Sequence, residues 1–310
     1  MSNLSEIEKE ILQLKSIAQN KVRHKYLKAL HEYTQRDTIL YASAYAAGVG
    51  RSMPPLVLSI MTDDIQGFMA SIYGLKGDKL DLILHSPGGS LEAAEQIVNY
   101  LRAKYKHIRA IIPQNAMSAA TMIACACDEI FMGKQSAIGP IDPQVTFLTQ
   151  HGPYTSPAQA LLDEFDRAKA EVTFNPALAP LWVSKMRDYP PGIFNVCSRT
   201  LALAVEKVSG WLTSYMFAGE ADGETRARAV ATWLGTANIH KTHDRPINLE
   251  EAIAHGLKVE PLENDQTLQD RVLSVFHAVV VTFKVSPLAK IIENHDGRGC
   301  YLQVEPRNLG

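Results

Sequence analysis

The sequence has little of what marks several large classes of protein. Its 310 residues include only four cysteines, Cys125, Cys127, Cys197 and Cys300, without the spacing of a CxxC metal site or the density of a disulfide framework. No uninterrupted apolar run approaches the roughly 20 residues that cross a bilayer. The N-terminal stretch MSNLSEIEKEILQLKS has no apolar signal core. We therefore expect a soluble, cytoplasmic protein with reduced thiols and no membrane span.

The sequence also has no large excess of positive or negative charge. The net charge is -2, which gives no electrostatic case for binding nucleic acid, and the basic run Lys21–Lys28 is expected to be a solvated face. The GxxxxGK[ST] signature of ATPases is absent, so an unfoldase, if one acts with this chain, would be a separate protein. We expect no cofactor and no metal site, because His240, His243 and Asp142 have no third nitrogen or sulfur ligand nearby.

What the sequence does contain is ordinary globular material, with 46% hydrophobic and 21% charged residues. Its most ordered pattern spans residues 80–122. The apolar run Leu80–Leu84 and the apolar run Ile108–Pro113 each read as a strand, and each ends in a loop that opens a helix. Ligands of parallel α/β sheets lie at such carboxyl ends of strands.

The two loops carry complementary chemistry. The first contains Gly88 and Gly89, which let the backbone approach a ligand closely. The second places Ser118 at the start of a helix, where unpaired N–H groups and the helix dipole favour developing negative charge. Together the loops could supply an oxyanion hole and a nucleophile.

The remaining elements are predicted from local patterns. Ser5 and Glu8 have capping-box spacing and begin an amphipathic N-terminal helix. Leu56–Ile60 is predicted to form a short strand, and the residue pattern from about Phe147 onward predicts mainly helical structure. The last 26 residues, 285–310, contain prolines and glycines and are expected to form a loosely packed tail, after a closing strand near 257–259 and a helix over 264–284.

Four segments together resemble a known family. They read HSPGGSLEAA, NAMSAATMIACACDEIFM, SAIGPIDPQ and INLEEAIAHGLKVE. An SPGG turn, a serine flanked by small residues about 30 positions later and then an EEAxxxGL segment resemble the Clp-protease/crotonase superfamily. The likeness is greatest to the serine dehydrogenase proteinase group, which is related to signal peptide peptidase A and to the Clp proteolytic subunit.

The resemblance implies an α/β fold, a Clp protease/crotonase-like spiral of ββα units with an added mainly helical insertion and a C-terminal helix. The regions would be 1–54, an N-terminal helical part; 55–146 with 236–262, the core; 147–235, the insertion; and 263–310, the C-terminal helix and tail. It implies a homo-oligomer that cleaves peptides or unfolded proteins. The roles it implies are a nucleophile at Ser118, oxyanion-hole amides at Gly88 and Ala119, and a peptide-binding edge at Gly89, Ser90 and Leu91.

The general base is open at this point. Asp142 is the nearest counterpart of the Clp subunit's catalytic histidine, and His240–His243 fall near the place of its acid. A permuted set is therefore one alternative, with His243 or His240 as base and Asp142 as the orienting acid. The Ser–Lys dyad of signal peptide peptidase A points instead to Lys169, with Lys185 as a second option. A buried lysine can act as a base when desolvation lowers its pKa.

Two other functions use the same fold. A crotonase-like enzyme would apply the oxyanion hole to an acyl-CoA thioester and would not need Ser118, but the sequence has no evident cradle for adenine or pyrophosphate. A non-catalytic scaffold would keep the fold and the assembly surface alone. We expect the peptidase.

Overall fold

A mixed sheet of seven strands forms the centre of the computed structural model, which describes residues 18–149 and 152–304. From one edge of the sheet to the other, the strands are β11 (Gly299–Gln303), β10 (Leu288–Asn294), β1 (Asp37–Ser43), β2 (Lys79–His85), β3 (His107–Ile112), β5 (Glu129–Met132) and β9 (Val259–Pro261). Strands β1, β2, β3, β5 and β9 are parallel, whereas β10 is antiparallel to β1 and β11 is antiparallel to β10. The parallel part places the carboxyl ends of its strands at one edge of the sheet.

The bounds of the elements follow the chain. The strands are β1 (Asp37–Ser43), β2 (Lys79–His85), β3 (His107–Ile112), β4 (Asn115–Ala116), β5 (Glu129–Met132), β6 (Ala137–Ile138), β7 (Gln144–Thr149), β8 (Gly152–Pro157), β9 (Val259–Pro261), β10 (Leu288–Asn294) and β11 (Gly299–Gln303). The helices are α1 (Ala18–Thr34), α2 (Pro55–Leu58), α3 (Asp64–Ile72), α4 (Leu91–Lys104), α5 (Ala119–Cys125), α6 (Ala158–Phe174), α7 (Ala179–Met186), α8 (Ile193–Ser214), α9 (Gly223–Gly235), α10 (Ala237–His240), α11 (Leu249–Ala254) and α12 (Gln266–Val285).

Both faces of the sheet are covered. Leu82 and Leu84 of β2 pack into one cluster of buried residues, together with α4, α5, α8 and α9, while Ile83 between them packs into a second cluster with α1 and α12. This alternation follows from the period of two along a strand. Four of the five residues of Leu80–Leu84 are apolar, as expected for a strand that is buried on both faces, and Asp81 among them is buried in ion pairs with Arg36 and Arg109.

Helix α4 begins where its local signals predict. The Ser90 hydroxyl accepts a hydrogen bond from the Ala93 amide at 3.1 Å and so caps the first turn. Ala94, Ile97 and Leu101 recur at helical spacing and are buried against the sheet. The cap fixes the point at which the glycine loop ends and the helix starts.

Two small sheets lie beside the main one. Strand β4 pairs with β6 in parallel, which joins the segment before Ser118 to the segment before Asp142. Strands β7 and β8 form an antiparallel hairpin that starts directly after Pro143. The expected α/β fold is confirmed, and helices α6 to α9 follow the hairpin.

Two local predictions are wrong, and a third is right in kind but places the start of the helices too early. Residues Pro55–Leu58 form a helical turn, which proline at its first position favours, and only Ile60 pairs, in an isolated bridge with Gly89. The segment from about Phe147 is mainly helical as predicted, but the chain first completes the β-hairpin and the first helix begins at Ala158. The C-terminal stretch is no loose tail, because β10 is buried throughout beside β1.

The reason for the C-terminal error is long-range pairing. The run LAKIIEN contains a lysine, a glutamate and an asparagine, which read as solvated, yet all three side chains are buried with partners from distant elements. The predicted N-terminal helix from Ser5 lies outside the described residues. The division of the chain into regions stays a prediction.

In the described part of the chain, every helix is too short or too polar to cross a membrane.

Candidate active site

The two loops of residues 86–90 and 115–118 lie side by side at the carboxyl edge of β2 and β3. Their backbones are joined, since the Ser86 amide donates to Asn115 O at 3.0 Å and the Met117 amide donates to Ser86 O at 3.0 Å. Parallel pairing of β2 with β3 makes this neighbourhood, because adjacent parallel strands end at the same edge. The predicted adjacency of the two loops is therefore present.

Ser118 has an unusual backbone. Its φ is 52° and its ψ is -120°, and it immediately precedes α5. A residue other than glycine with positive φ costs free energy, and such strain collects at functional sites. The side chain is half-buried and does not cap its own helix. This is the backbone geometry of a serine on a sharp strand-to-helix turn.

Gly88 packs directly against this turn. A Cβ atom at Gly88 would lie 2.6 Å from the Cβ of Ser118, 2.6 Å from Met117 O and 3.0 Å from the amide nitrogen of Ala119. Its φ of +99° is also a region that favours glycine. Glycine at position 88 is therefore required both for the conformation of its loop and for the close approach of that loop to Ser118.

The amides at this contact differ in what they bind. The Gly88 amide donates to Ser86 Oγ at 3.1 Å. Within the described residues, no acceptor is found for the amide of Gly89 or for that of Ala119. The Ala119 amide is free because it belongs to the first turn of α5, where N–H groups have no partner inside the helix.

His243 and Asp142 are joined by a hydrogen bond beside the two loops. His243 Nδ1 donates to Asp142 Oδ1 at 2.9 Å, and Asp142 Oδ2 accepts from Gln144 Nε2 at 2.9 Å. The carboxylate is almost completely buried, at 2% exposed, whereas the imidazole is 21% exposed. A proton held on Nδ1 by the carboxylate leaves the lone pair on Nε2, which is the form that can accept a proton.

Backbone pairing brings these two residues together across 101 positions. Ile138 and Ile247 exchange two hydrogen bonds, at 3.0 and 2.8 Å, and the Ile141 amide donates to Leu234 O at 2.9 Å. The segment leading to Asp142 is thereby fixed beside the segment that follows His243. Thr121 of α5 ties the same region to the serine turn, because its hydroxyl donates to Ala116 O and accepts from the Gly139 amide.

One cavity of about 350 Å³ joins these parts. Ser118, Ala119 and His243 line it together with the glycine loop, and Asp142 lies behind His243. The full lining consists of Ser59, Pro87, Gly88, Gly89, Ser90, Leu91, Glu92, Ser118, Ala119, Met122, Ile141, Pro143, Gln144, Thr200 and His243. The structure thus brings the predicted nucleophile, the predicted loop residues and one of the predicted bases to the same place.

The predicted lysines lie elsewhere. Lys169 is 60% exposed, pairs with Asp166 at 2.5 Å and lines a separate apolar groove of α6 and α7. Lys185 is 52% exposed and pairs with Glu164. Neither lysine lines the cavity that contains Ser118, and both side chains are exposed to solvent on the helices of residues 158–186.

The other histidines have structural surroundings. His240 is buried, its Nε2 donates to Trp233 O at 2.8 Å, and its Nδ1 accepts from Arg245. Burial lowers the pKa of His240. His85 is buried between the rings of Tyr45 and Phe276, and burial lowers its pKa to about 4. Both ring nitrogens of His240 are engaged, so it is available neither as a base nor as a metal ligand.

A cluster that could hold a metal ion lies away from the cavity. His31, Asp37 and His295 present ligand atoms within 4.8 Å of one another. The rings of His31 and His295, however, are stacked at 3.6 Å with planes 8° apart. Lone pairs in parallel ring planes do not converge on one ion, so this packing does not fit a metal centre.

Several lining residues carried no signal in the sequence. Ser59 and Thr200 come from segments that no motif marks, and Met122 reads only as a helix-packing residue. Glu92 is the only carboxylate of the lining, and the hydrogen bond from the Ser90 hydroxyl lowers its pKa. Ser86 could have been noticed, since it precedes the glycines directly, but its bond to the Gly88 amide depends on the fold of the loop.

The chain is similar to a described protein family and to two proteins of an archaeon. Residues 13–173, a little over half of the chain, match the model of a family described as ClpP-like SDH-type serine proteinase. Two uncharacterized proteins of Methanocaldococcus jannaschii are each 29% identical. One aligns over 237 residues, which is 76% of this chain and 73% of the relative, and the other over 206 residues, which is 66% of this chain and 60% of the relative.

Solved structures are more distant. One is a variant of 1510-N, a membrane-bound stomatin-specific protease, in which alanine replaces a serine. It is 14% identical in sequence with a TM-score of 0.40, and the alignment covers 69% of this chain and 79% of the 1510-N chain. A second variant of 1510-N, in which alanine replaces a lysine and a substrate peptide is bound, is 16% identical with a TM-score of 0.38 and covers 65% and 70%.

Proposed function

Since the chain belongs to the family of ClpP-like SDH-type serine proteinases, we propose that it is a serine endopeptidase with Ser118 as its nucleophile. One observation carries this proposal: Ser118 and His243 line a single cavity, and His243 is hydrogen-bonded to the buried Asp142. A hydroxyl, an imidazole and a carboxylate are the groups that acyl transfer through serine uses, whatever their order along the chain.

The proposed reaction has two halves. Ser118 Oγ attacks the carbonyl carbon of the scissile bond while His243 Nε2 takes the hydroxyl proton. The tetrahedral intermediate collapses, His243 returns this proton to the leaving amine, and an acyl-enzyme ester remains on Ser118. Water, deprotonated by His243, then attacks the ester; the acid product leaves, and His243 returns the proton to Ser118 Oγ. Asp142 keeps the imidazole in its reactive tautomer and stabilises the imidazolium.

The amides of Ala119 and Gly88 are the proposed donors to the oxyanion. Ala119 offers an unpaired N–H at a helix start, where the dipole also favours negative charge. Gly88 donates to Ser86 Oγ in this structure, so an oxyanion would take the place of that hydroxyl as acceptor. Gly89 lines the same cavity, and its amide, for which no acceptor is found among the described residues, is a further proposed donor.

The proposed substrates are extended or unfolded polypeptides. Gly89, Ser90 and Leu91 line the cavity, as expected for an edge on which a peptide lies as an added strand. The sequence contains no ATPase signature, so folded substrates would need a separate unfoldase. A homo-oligomer and a cytoplasmic location stay predictions; analytical ultracentrifugation of the purified chain tests the first.

Labelling of the serine tests the core of the proposal. A fluorophosphonate probe should label the wild-type protein on Ser118, and Ser118→Ala should lose both labelling and cleavage of casein while the protein stays folded. Ser59→Ala is a matched control, because Ser59 lines the same cavity but its hydroxyl donates to Pro55 O. Equal cleavage by wild type and Ser118→Ala refutes the proposal.

Failure of the wild-type protein to react would also be informative. No labelling and no cleavage by the assembled protein would favour the non-catalytic scaffold. Binding of an acyl-CoA, detected as a rise in Tm that Ser118→Ala leaves unchanged, would favour the crotonase-like enzyme.

A further inference from the structure

A buried ion pair lies beneath the glycine loop. Lys290 Nζ is 2.7 and 2.9 Å from the two carboxylate oxygens of Asp64, and the side chains are 3% and 8% exposed. The Tyr41 hydroxyl donates to Asp64 Oδ2 at 2.7 Å. The three residues come from β10, α3 and β1, so elements from both ends of the chain meet here.

This ion pair holds the backbone on both sides of Ile60. Lys290 Nζ donates to Ser59 O at 2.7 Å, and the Met61 amide donates to Asp64 Oδ2 at 3.0 Å. Hydrogen bonds in which one partner is charged are stronger than those between neutral groups. The peptide groups before and after Ile60 are therefore fixed by two opposite charges.

Ile60 in turn holds the glycine loop. Its amide donates to Gly88 O at 2.7 Å, and its carbonyl accepts from the Ser90 amide at 3.0 Å. The two chains are so close that a Cβ atom at Gly89 would lie 2.3 Å from Ile60 O. These two bonds bracket Gly89 and fix the direction of the peptide groups on either side of it.

The bracketed loop is the one that faces the proposed nucleophile. Gly88 is in contact with Ser118, and Gly89 and Ser90 line the cavity beside it. A continuous series of short contacts therefore runs from Lys290, through Ile60, to the amides that would face an oxyanion. Ser59 belongs both to this series and to the lining of the cavity.

We propose that Asp64 and Lys290 are positioning residues, which hold the 59–61 segment and through it set the glycine loop against Ser118. This inference rests on the proposed peptidase function. The pair touches no reacting atom; it acts on the reaction by fixing backbone donors in the place that the transition state needs. A buried neutral pair of similar volume could preserve the stability of the fold, but it would not supply the same bonds to Ser59 O and the Met61 amide.

The test compares two buried ion pairs on the same strand. Lys290→Met removes one partner of the positioning pair. Glu293→Gln weakens a second buried pair, in which Glu293 accepts from Arg23 at 2.7 Å, away from the cavity lining. Both variants should lower Tm. Only Lys290→Met should lower kcat for a peptide substrate, by between about tenfold and about a hundredfold, because a small displacement of a catalytic donor has such an effect.

A double variant separates position from stability. Asp64→Asn combined with Lys290→Met leaves no unpaired buried charge, so its Tm should recover relative to Lys290→Met. Its kcat should stay low, because the bond from position 290 to Ser59 O is still missing. Recovery of kcat together with Tm would overturn the inference and reduce the ion pair to a stabilising contact.

Amide hydrogen exchange provides a readout that does not depend on activity. In Lys290→Met, the amides of residues 59–61 and 88–90 should exchange faster than in wild type, and in Glu293→Gln they should not. Equal exchange of these segments in the two variants overturns the inference even if the enzyme is active. An inactive wild type with the expected exchange pattern would overturn the peptidase function and leave the positioning of the loop supported.

Discussion

Substituting Gly88 by alanine perturbs the contact on which the proposed site depends. The added Cβ would lie 2.6 Å from Met117 O and 2.6 Å from the Cβ of Ser118. Both atoms belong to the serine turn, and neither is the far end of a flexible side chain. The clash can therefore be relieved only by moving the glycine loop or the turn itself.

The size of the effect has two parts. The positive φ of Gly88 costs about 1–2 kcal/mol for any other residue, and overpacking against backbone adds about 1–3 kcal/mol. Their sum predicts a loss of about 2–5 kcal/mol in the free energy of unfolding. Since a displacement of about 1 Å at a catalytic group lowers the rate by about 10²-fold, kcat/KM should fall between about tenfold and about a hundredfold.

Gly219→Ala is the matched control. Gly219 has a φ of +79°, close to that of Gly88, but a Cβ atom there would meet nothing within 4 Å. It should lose about 1–2 kcal/mol of stability and keep its kcat/KM. The assay is steady-state cleavage of a fluorogenic peptide, with urea denaturation of each variant, at a temperature where all three proteins are folded.

Two results would contradict this reasoning. If Gly88→Ala kept kcat/KM within about twofold of wild type, a displacement of the loop would not matter to the reaction. If Gly219→Ala lost as much activity as Gly88→Ala, the loss would follow from reduced stability and not from the contact with Ser118.

Three further predictions concern the titratable residues. Asp142→Asn should lower kcat by about 10³–10⁴-fold with little change in KM, because His243 would lose the acceptor that fixes its tautomer; a loss below tenfold in steady-state kinetics would place the orienting group elsewhere. Lys169→Ala should leave kcat/KM unchanged, since the ammonium group lies outside the cavity, and a large loss would revive the Ser–Lys dyad. Burial lowers the pKa of His85 from 6.5 to about 4. Between these two pH values the imidazole is protonated in the unfolded chain but not in the folded protein. The free energy of unfolding therefore falls as the pH drops from 6.5 to about 4. In urea denaturation as a function of pH, His85→Phe should show a shallower fall over the same range, and an unchanged slope would contradict the shift.

Local signals in the sequence determined much of the site. Two mainly apolar runs identified β2 and β3, because strands that are buried on both faces need no alternation of apolar and polar residues. The opening of helix α4 directly after the glycine loop was predictable, since Ser90 is a strong N-cap and the apolar residues of the helix recur at regular spacing. A pair of glycines and a serine after two neighbouring parallel strands then predicted that these residues meet, which the contact of Gly88 with Ser118 bears out.

Long-range pairing could not be read in the same way. His243, His240, Lys169 and Lys185 all stayed open as bases in the sequence, because no local pattern states which one reaches the cavity. The exchange of bonds between Ile138 and Ile247 decides this by bringing His243 to Asp142, while the lysines remain on the exposed helices of residues 158–186.

The sequence by itself determined which residues could be nucleophile and backbone donors, because turns, caps and strand ends are properties of a few adjacent residues. Only the tertiary structure decided which titratable group joins them, and that a polar C-terminal stretch enters the middle of the sheet. Lys290 shows the physical reason: a lysine reads as solvated unless its partners are known, and the groups that satisfy it, Asp64 and Ser59 O, lie more than 220 residues away along the chain.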